Sequence, residues 1–301
     1  MEWEAPEVDL LLQLVANGIV QGALVACLSA GFGIVYRSFR VFHVAMGAQF
    51  VVVSYAFYAA AVTLKLPNLA AAMIAIAASI AFALLLEFAI YRPFAKRKCA
   101  GGATMIASLG VLIVTENILA LAFGNEVKTI PHLPYSAIAL GSVRLTTFQV
   151  SQFAVCIVLF IATGIAIART KIGRACWALG DSSELMRTLG MPCGAIRCAA
   201  MLIGTMLVTV PALMVSADTG MDPHEGMRWI LIASMAAFFG GRDRYWGWGA
   251  GALALGFAQA AVVWRLPSQW SDTVAFAILL GVLVFRPHGL FSGAIRTEEA
   301  A

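Results

Sequence analysis

The chain has 301 residues, 61% of them hydrophobic and only 12% charged, with a net charge of +4. Water-soluble domains are nearer half apolar and a quarter charged, so a mean hydropathy of +0.88 excludes an ordinary soluble globular protein. Apolar runs long enough for a hydrocarbon core of roughly 30 Å recur from end to end, so the protein acts in or across a bilayer.

The N-terminal "MEWEAPEVD" has no basic n-region and carries four acids, so a cleaved signal peptide is not expected and the first apolar run reads as a retained helix. In chain order the expected spans are Leu10–Tyr36, Val41–Leu64, Leu69–Tyr91, Thr104–Phe123, Phe148–Ala168, Ile196–Ala217, Met227–Gly240, Trp246–Trp264 and Thr273–Phe285. The seventh and ninth are short for a full crossing, which suggests a re-entrant, tilted or extended segment. The fold class is all-α: one transmembrane domain over residues 1–301, a polytopic bundle of about eight to ten helices.

With nine crossings and the N-terminus outside, one side holds Arg37, Arg40, Arg92, Lys96, Arg97, Lys98, Arg169, Lys171, Arg174, Arg187, Arg197, Arg242, Arg244, Arg286 and Arg296. The other holds only Lys65, Lys128, Arg144, Arg228 and Arg265. Basic residues favour the cytoplasmic side, so the polar stretch 169–197 is expected in the cytoplasm. The outer loops are more acidic, and 125–147, with Pro131 and Pro134, is the longest of them.

Several chemistries lack a sequence signal. There is no GxxxxGK[ST] phosphate loop, no HExxH and no GxSxG. The four histidines (His43, His132, His224, His288) are scattered, and the six cysteines form no CxxC pair and read as small packing residues. No cofactor, metal, catalytic residue or nucleic-acid partner is expected. Gly18/Gly22 and Gly247/Gly251 have the GxxxG spacing that lets helix backbones approach closely in lipid. Two acids fall inside spans: Glu87, near Arg92 and read as an interfacial structural pair, and Glu116, followed by Asn117, a candidate for the transport pathway or an interhelix bond.

Within the polar stretch, Asp181, Ser182 or Ser183 can cap a short helix that Gly190 and Pro192 stop. Leu185, Met186 and Leu189 put apolar groups on one side while Glu184 and Arg187 take other faces. Such a helix either lies on the membrane surface or fits a groove on a cytoplasmic partner.

At these residues the chain resembles a family. "ALGDSSELMRTLGM" resembles the cytoplasmic coupling segment of ABC importer permeases of the branched-chain amino-acid group, which includes urea and short-amide importers. "YRPF" at 91–94, "ASLGVLIVTEN" at 107–117, "RTKIGRA" at 169–175, "FFGG" at 238–241 and "FRPHGLFSG" at 285–293 follow in the family's order. The resemblance implies a permease, not an enzyme, in the inner (cytoplasmic) membrane. It also implies a second permease subunit, alike or different, two ABC ATPase subunits inside and an extracytoplasmic solute-binding protein outside. The ATPase-coupling residues would be Asp181, Ser182, Ser183, Glu184, Leu185, Met186, Arg187, Leu189 and Gly190; the candidate pathway residues are His43, Met46, Glu116 and Asn117. Leu185 and Met186 depart from the family's small residues, "HVAMGA" at 43–48 replaces "NFAHGE", and Arg37 stands where glycine is frequent. The expected function is ATP-driven import of a small polar solute, a branched-chain or related amino acid. The alternatives are a self-contained secondary transporter or facilitator of a solute such as urea or an amide, and a membrane-bound sensor or scaffold.

Overall fold

The computed structural model describes residues 4–97, 99–130, 137–140, 143–241, 244–265 and 267–285. Helix α1 (Glu4–Phe39) is followed by α2 (Ala45–Tyr58), which a π-helical turn at Ala59–Thr63 prolongs. Helix α3 (Asn68–Leu86) runs through a second π-turn, Glu87–Tyr91, into α4 (Arg92–Lys96), and α5 (Gly101–Phe123) returns. A hairpin of β1 (Ala137–Leu140) and β2 (Val143–Thr146) leads into α6 (Thr147–Arg169). Next come α7 (Lys171–Asp181), α8 (Ser183–Thr188), α9 (Cys193–Asp218), α10 (Gly226–Gly240), α11 (Tyr245–Arg265) and α12 (Ser271–Phe285).

Each of the nine expected apolar runs contains or overlaps a helix. Among the described residues, seven helical segments are long and apolar enough to span a membrane, and α10 is a shorter apolar helix. The chain is a multi-pass helical membrane protein. Among the described residues the departures from an all-helical reading are an isolated antiparallel bridge between Lys128 and Met221 and the hairpin inside the loop 125–147, whose strands pair Ala137 with Thr146 and Leu140 with Val143. Thr146 ends β2 and also caps α6: its hydroxyl accepts from the Gln149 amide, and the Gln149 side chain accepts from the Thr146 amide, both at 3.1 Å.

Helix α1 is the mast of the bundle. Its most apolar window is 83% buried, against 11% for α5, 22% for α6 and 28% for α3–α4, so α1 is surrounded by protein while those three face outward. It packs against α6, α9, α10 and α11. In lipid, helices gain no hydrophobic drive from touching, so contact depends on close backbone approach and dispersion. Both glycine pairs serve that end. Side chains at Gly18 and Gly22 would collide with Phe257 and Leu253 of α11, and side chains at Gly247 and Gly251 would collide with the main chain of Gly240 and Ala236 on α10.

The shortness of α10 has a geometric cause. At its first residue, a side chain on Gly226 would meet the Gly47 carbonyl of α2 and the Leu112 and Glu116 side chains of α5. Leu112 lies eleven residues along α5 from Gly101, a rise of about 16 Å. Helix α10 therefore begins inside the bundle and needs only about 22 Å to reach the far end. Helix α2 also begins inside: after Phe39 the chain turns back, and Phe42 packs edge-on to Phe32 at 5.1 Å. The turn is made at Arg40, whose φ is 55°.

Replacing Gly22 by Leu should overpack the α1/α11 seam and cost about 1–3 kcal/mol, read as a lower thermal midpoint in detergent. Gly110→Leu is the control, because nothing lies within 4 Å of that position, and its midpoint should be unchanged.

Candidate functional site

The polar stretch 169–197 holds the short helices α7 and α8 before α9 begins at Cys193. Helix α7 is amphipathic and is capped by Thr170, whose hydroxyl accepts from the Gly173 amide at 3.0 Å. After it, Ser182 caps α8 by accepting from the Leu185 amide at 3.2 Å. Helix α8 closes in a Schellman turn: the Gly190 amide donates to the Arg187 carbonyl and the Met191 amide to the Met186 carbonyl, both at 3.0 Å. Gly190 has a φ of +72°, in the left-handed region where a side chain is strained.

The apolar side chains of α8 do not share one face. Met186 is 6% exposed and turns inward, whereas Leu185 and Leu189 are 60% and 69% exposed. Ser183, Glu184 and Arg187 are exposed beside them. The result is a capped projection with two leucines outermost, anchored by Met186.

Arg37 and Arg40, from the end of α1, hold this segment in place. Arg37 is buried, ion-pairs with Asp181, donates through Nε to the Trp177 carbonyl at 3.4 Å, and lies 4.1 Å from the Trp177 ring centroid. Arg40 donates through Nε to the Gly180 carbonyl at 2.9 Å and also through Nη2. Two cations thus meet carbonyls of the last turn of α7 and its negative dipole end. Arg37, the sequence departure from the family's glycine, has a definite task here.

The four pathway candidates do not form one site. His43 pairs through Nδ1 with the hydroxyl of Tyr91, so the "HVAMGA" and "YRPF" motifs meet. His43 and Met46 are 2% and 3% exposed and lie near Ser108, whose hydroxyl accepts from the Val44 amide at 3.2 Å. Glu116 is eight residues beyond Ser108 on α5, about 12 Å away. There its carboxylate lies 3.8 Å from His224 Nδ1, with the main chain of Met227 beside it. Asn117 is exposed on another face and donates to the Ile113 carbonyl of its own helix at 2.7 Å. Glu87 is buried, and its main charged neighbour is Arg197 of α9, ahead of the Arg92 expected from sequence.

Sequence reading missed a buried polar chain. Gln49 donates to Ser79 at 3.0 Å, Ser79 and Thr209 are 2.6 Å apart, and Thr209 donates to the Thr205 carbonyl at 2.8 Å. These bonds tie α2, α3 and α9 together, as hydroxyl and amide groups do between helices in lipid. Gln49 follows the "HVAMGA" run directly, and an amide in an apolar span was the available signal. Among the described residues no group of His, Cys, Asp and Glu could hold a metal ion.

A polytopic bundle with a capped polar projection at one end has the form of a helical membrane permease. A family model described as the branched-chain amino acid transport system / permease component matches residues 14–283, and the chain belongs to that family. It is 28% identical over 302 residues to the high-affinity branched-chain amino acid transport system permease protein BraD of Pseudomonas aeruginosa, covering 95% of this chain and 97% of that protein. Its identity to the LivH permease protein of the corresponding Escherichia coli K12 system is 26% over 295 residues, covering 93% and 94% of the two chains. A shorter match, 29% over 189 residues, covers 60% of this chain and 54% of the autoinducer 2 import system permease protein LsrC of Klebsiella pneumoniae. Among solved structures, PsaBC from Streptococcus pneumoniae in complex with Fab aligns with a TM-score of 0.53 over 89% of this chain and 90% of that one, and its 11% identity speaks to the fold alone.

Two outcomes test this geometry. Arg37→Gln should loosen the α7–α8 segment and speed amide exchange over 180–190 by about 5- to 30-fold, the equivalent of one or two kcal/mol of local stability. Exchange in α9 should be unaffected. His43 lies between the spanning segments, and burial holds its imidazole down to about 3. Between about pH 6.5 and 3 the unfolded chain therefore binds a proton that the folded chain refuses, so this group lowers stability as pH falls through that window. His43→Asn should reduce that acid sensitivity, measured as the pH dependence of the thermal midpoint.

Proposed function

We propose that the chain is the membrane-spanning permease subunit of an ATP-driven ABC importer in the bacterial inner membrane, carrying a branched-chain or related amino acid. Family membership and near full-length similarity to two high-affinity branched-chain amino acid permease proteins support the solute class. ATP chemistry belongs to two separate ATPase subunits, since this chain has no phosphate loop of its own. A solute-binding protein delivers from outside. A second permease subunit packs on one of the outward-facing helices, of which α5 is the least covered.

The observation that carries the reading is the α8 projection. Two leucines exposed at the tip of a capped six-residue helix are poorly suited to water and well suited to an apolar groove on a partner. The basic connections 37–44, 92–97 and 169–193 gather at the same end, as the contact of Arg40 with Gly180 and the pocket that Arg40 lines together with Phe94 and Ala95 require. By the positive-inside rule that end is cytoplasmic. Asp181, Ser182, Ser183, Glu184, Leu185, Met186, Arg187, Leu189 and Gly190 then form the ATPase-coupling element, and ATPase closure pushes on α8 and, through Arg37 and Arg40, on α1.

The double variant Leu185→Glu, Leu189→Glu alters only exposed side chains and should leave the permease folded. It should lower ATPase copurification and ATP-driven leucine uptake in proteoliposomes by about tenfold or more, the loss of two apolar contacts. Full uptake by the variant, or concentrative uptake by the purified chain without an ATPase, would refute the reading and favour a self-contained transporter.

A further inference from the structure

At the end of the bundle opposite α8 lies a cavity of about 270 Å³ lined by polar residues that six helices contribute. Asn17 and Gln21 come from α1, Gln149 and Gln152 from α6, Asp218 from α9, Arg228 from α10, Gln259 from α11 and Asp272 from α12. Its size is at the lower edge of the range for small-molecule sites, about 300–1,000 Å³, and suits a solute of few heavy atoms. In a chain that is 61% hydrophobic, so many amides and charges around one space are costly unless they meet water or a solute.

The chemistry of the wall is specific. Arg228 meets Asp272 through Nε at 2.5 Å, which uses one of the five guanidinium N–H donors. Gln259, 7% exposed, donates its amide nitrogen to Asp272 at 2.9 Å, and that bond fixes the orientation of the side chain. Its oxygen, and that of Gln152, which is 5% exposed, are buried without a protein hydrogen-bond donor among the described residues. The wall therefore offers a cation with donors to spare and, lining the same cavity, two underused amide acceptors beside the acid Asp218.

We propose that this cavity is a solute site on the permease itself and that it takes a small zwitterion: the carboxylate on Arg228, the ammonium among Asp218, Gln152 and Gln259. A urea or simple amide brings no charge to either set, so the site selects the amino-acid class. This deepens, and rests on, the reading of the chain as an amino-acid importer subunit. The Arg228–Asp272 pair holds the guanidinium ready, and a carboxylate-bearing solute can add bonds without breaking that pair.

The experiment separates the site from the transport reading. Equilibrium binding of leucine, leucinamide, 4-methylpentanoate and urea is measured on the purified permease complex without binding protein, and ATP-driven leucine uptake is measured in parallel. Leucine should bind most tightly. Arg228→Gln should weaken leucine by about 10- to 100-fold, the value of a charge-assisted hydrogen bond, while leucinamide changes little, so that discrimination between the two collapses. Asp218→Asn should do the same for leucine against 4-methylpentanoate. The double variant Arg228→Gln, Asp272→Asn removes the ion pair as a unit and leaves no orphan carboxylate, and it should show the same collapse if Arg228 reads the solute. Unchanged discrimination in the folded variants, or no leucine binding by the wild-type complex, would overturn the site. Uptake of leucine with unaltered discrimination would sink the site and leave the importer reading standing; absent ATP-driven uptake with intact zwitterion binding would do the reverse.

Discussion

The grip of Arg37 and Arg40 on the carbonyl end of α7 is the contact on which the mechanical account of this protein depends. Helix α8 is six residues long, too short to hold its shape or direction by helical hydrogen bonds alone. It is steady because Ser182 and the Gly190 turn close its two ends, Met186 anchors its inner face, and α7 is bonded to the last turn of the most buried helix in the bundle. Without that grip the projection would hinge at Ser182, and force on the leucines would bend a loop without moving a helix.

What could be read from sequence follows the range of the interaction. The caps of α8 were legible because capping is local: a serine three residues before the amide it accepts from, and a glycine at the one position needing positive φ. The glycine seams were legible as spacing, although their partners, Leu253 and Phe257 for one and Gly240 for the other, were not. The split of Leu185 and Leu189 from Met186 was missed because i, i+1 and i+4 positions span a wide arc of a helix, and only tertiary contact decides which member turns inward. The role of Arg37 was hidden because its partners lie about 140 residues away.

The pathway candidates do not come together in one place, for a related reason. His43, Met46, Glu116 and Asn117 stand out in sequence as polar or atypical residues inside apolar runs, and such a pattern does not bring residues of different helices to one place. His43 proves to be held by Tyr91, and Asn117 by its own helix. Glu116 lies against the buried start of α10, where the Met227 amide and the positive end of the helix dipole favour an anion. The polar cavity at the end opposite α8, by contrast, draws one or two polar residues from each of six helices. No local pattern marks such a set; only the bundle brings it together.

Helix α1 joins the two ends of the molecule. Asn17 and Gln21 line the polar cavity at one end, and Arg37 and Arg40 grip the α7–α8 segment at the other. From Asn17 to Arg37 is a rise of about 30 Å of continuous helix, buried along most of its length and pressed through glycine contacts onto α11. A close-packed helix of this kind transmits displacement with little give, because its neighbours have no voids to absorb it. Helix α10 is the natural counterpart: it starts inside the bundle, carries Arg228 into the cavity wall and packs on α11 through Gly240 at its other end. A push that shifts α1 and α11 together against α10 would change the distance between Arg228 and the amides of Gln21 and Gln259. On the proposed function, solute affinity at the cavity and the position of α8 would then be two readings of one helix's movement.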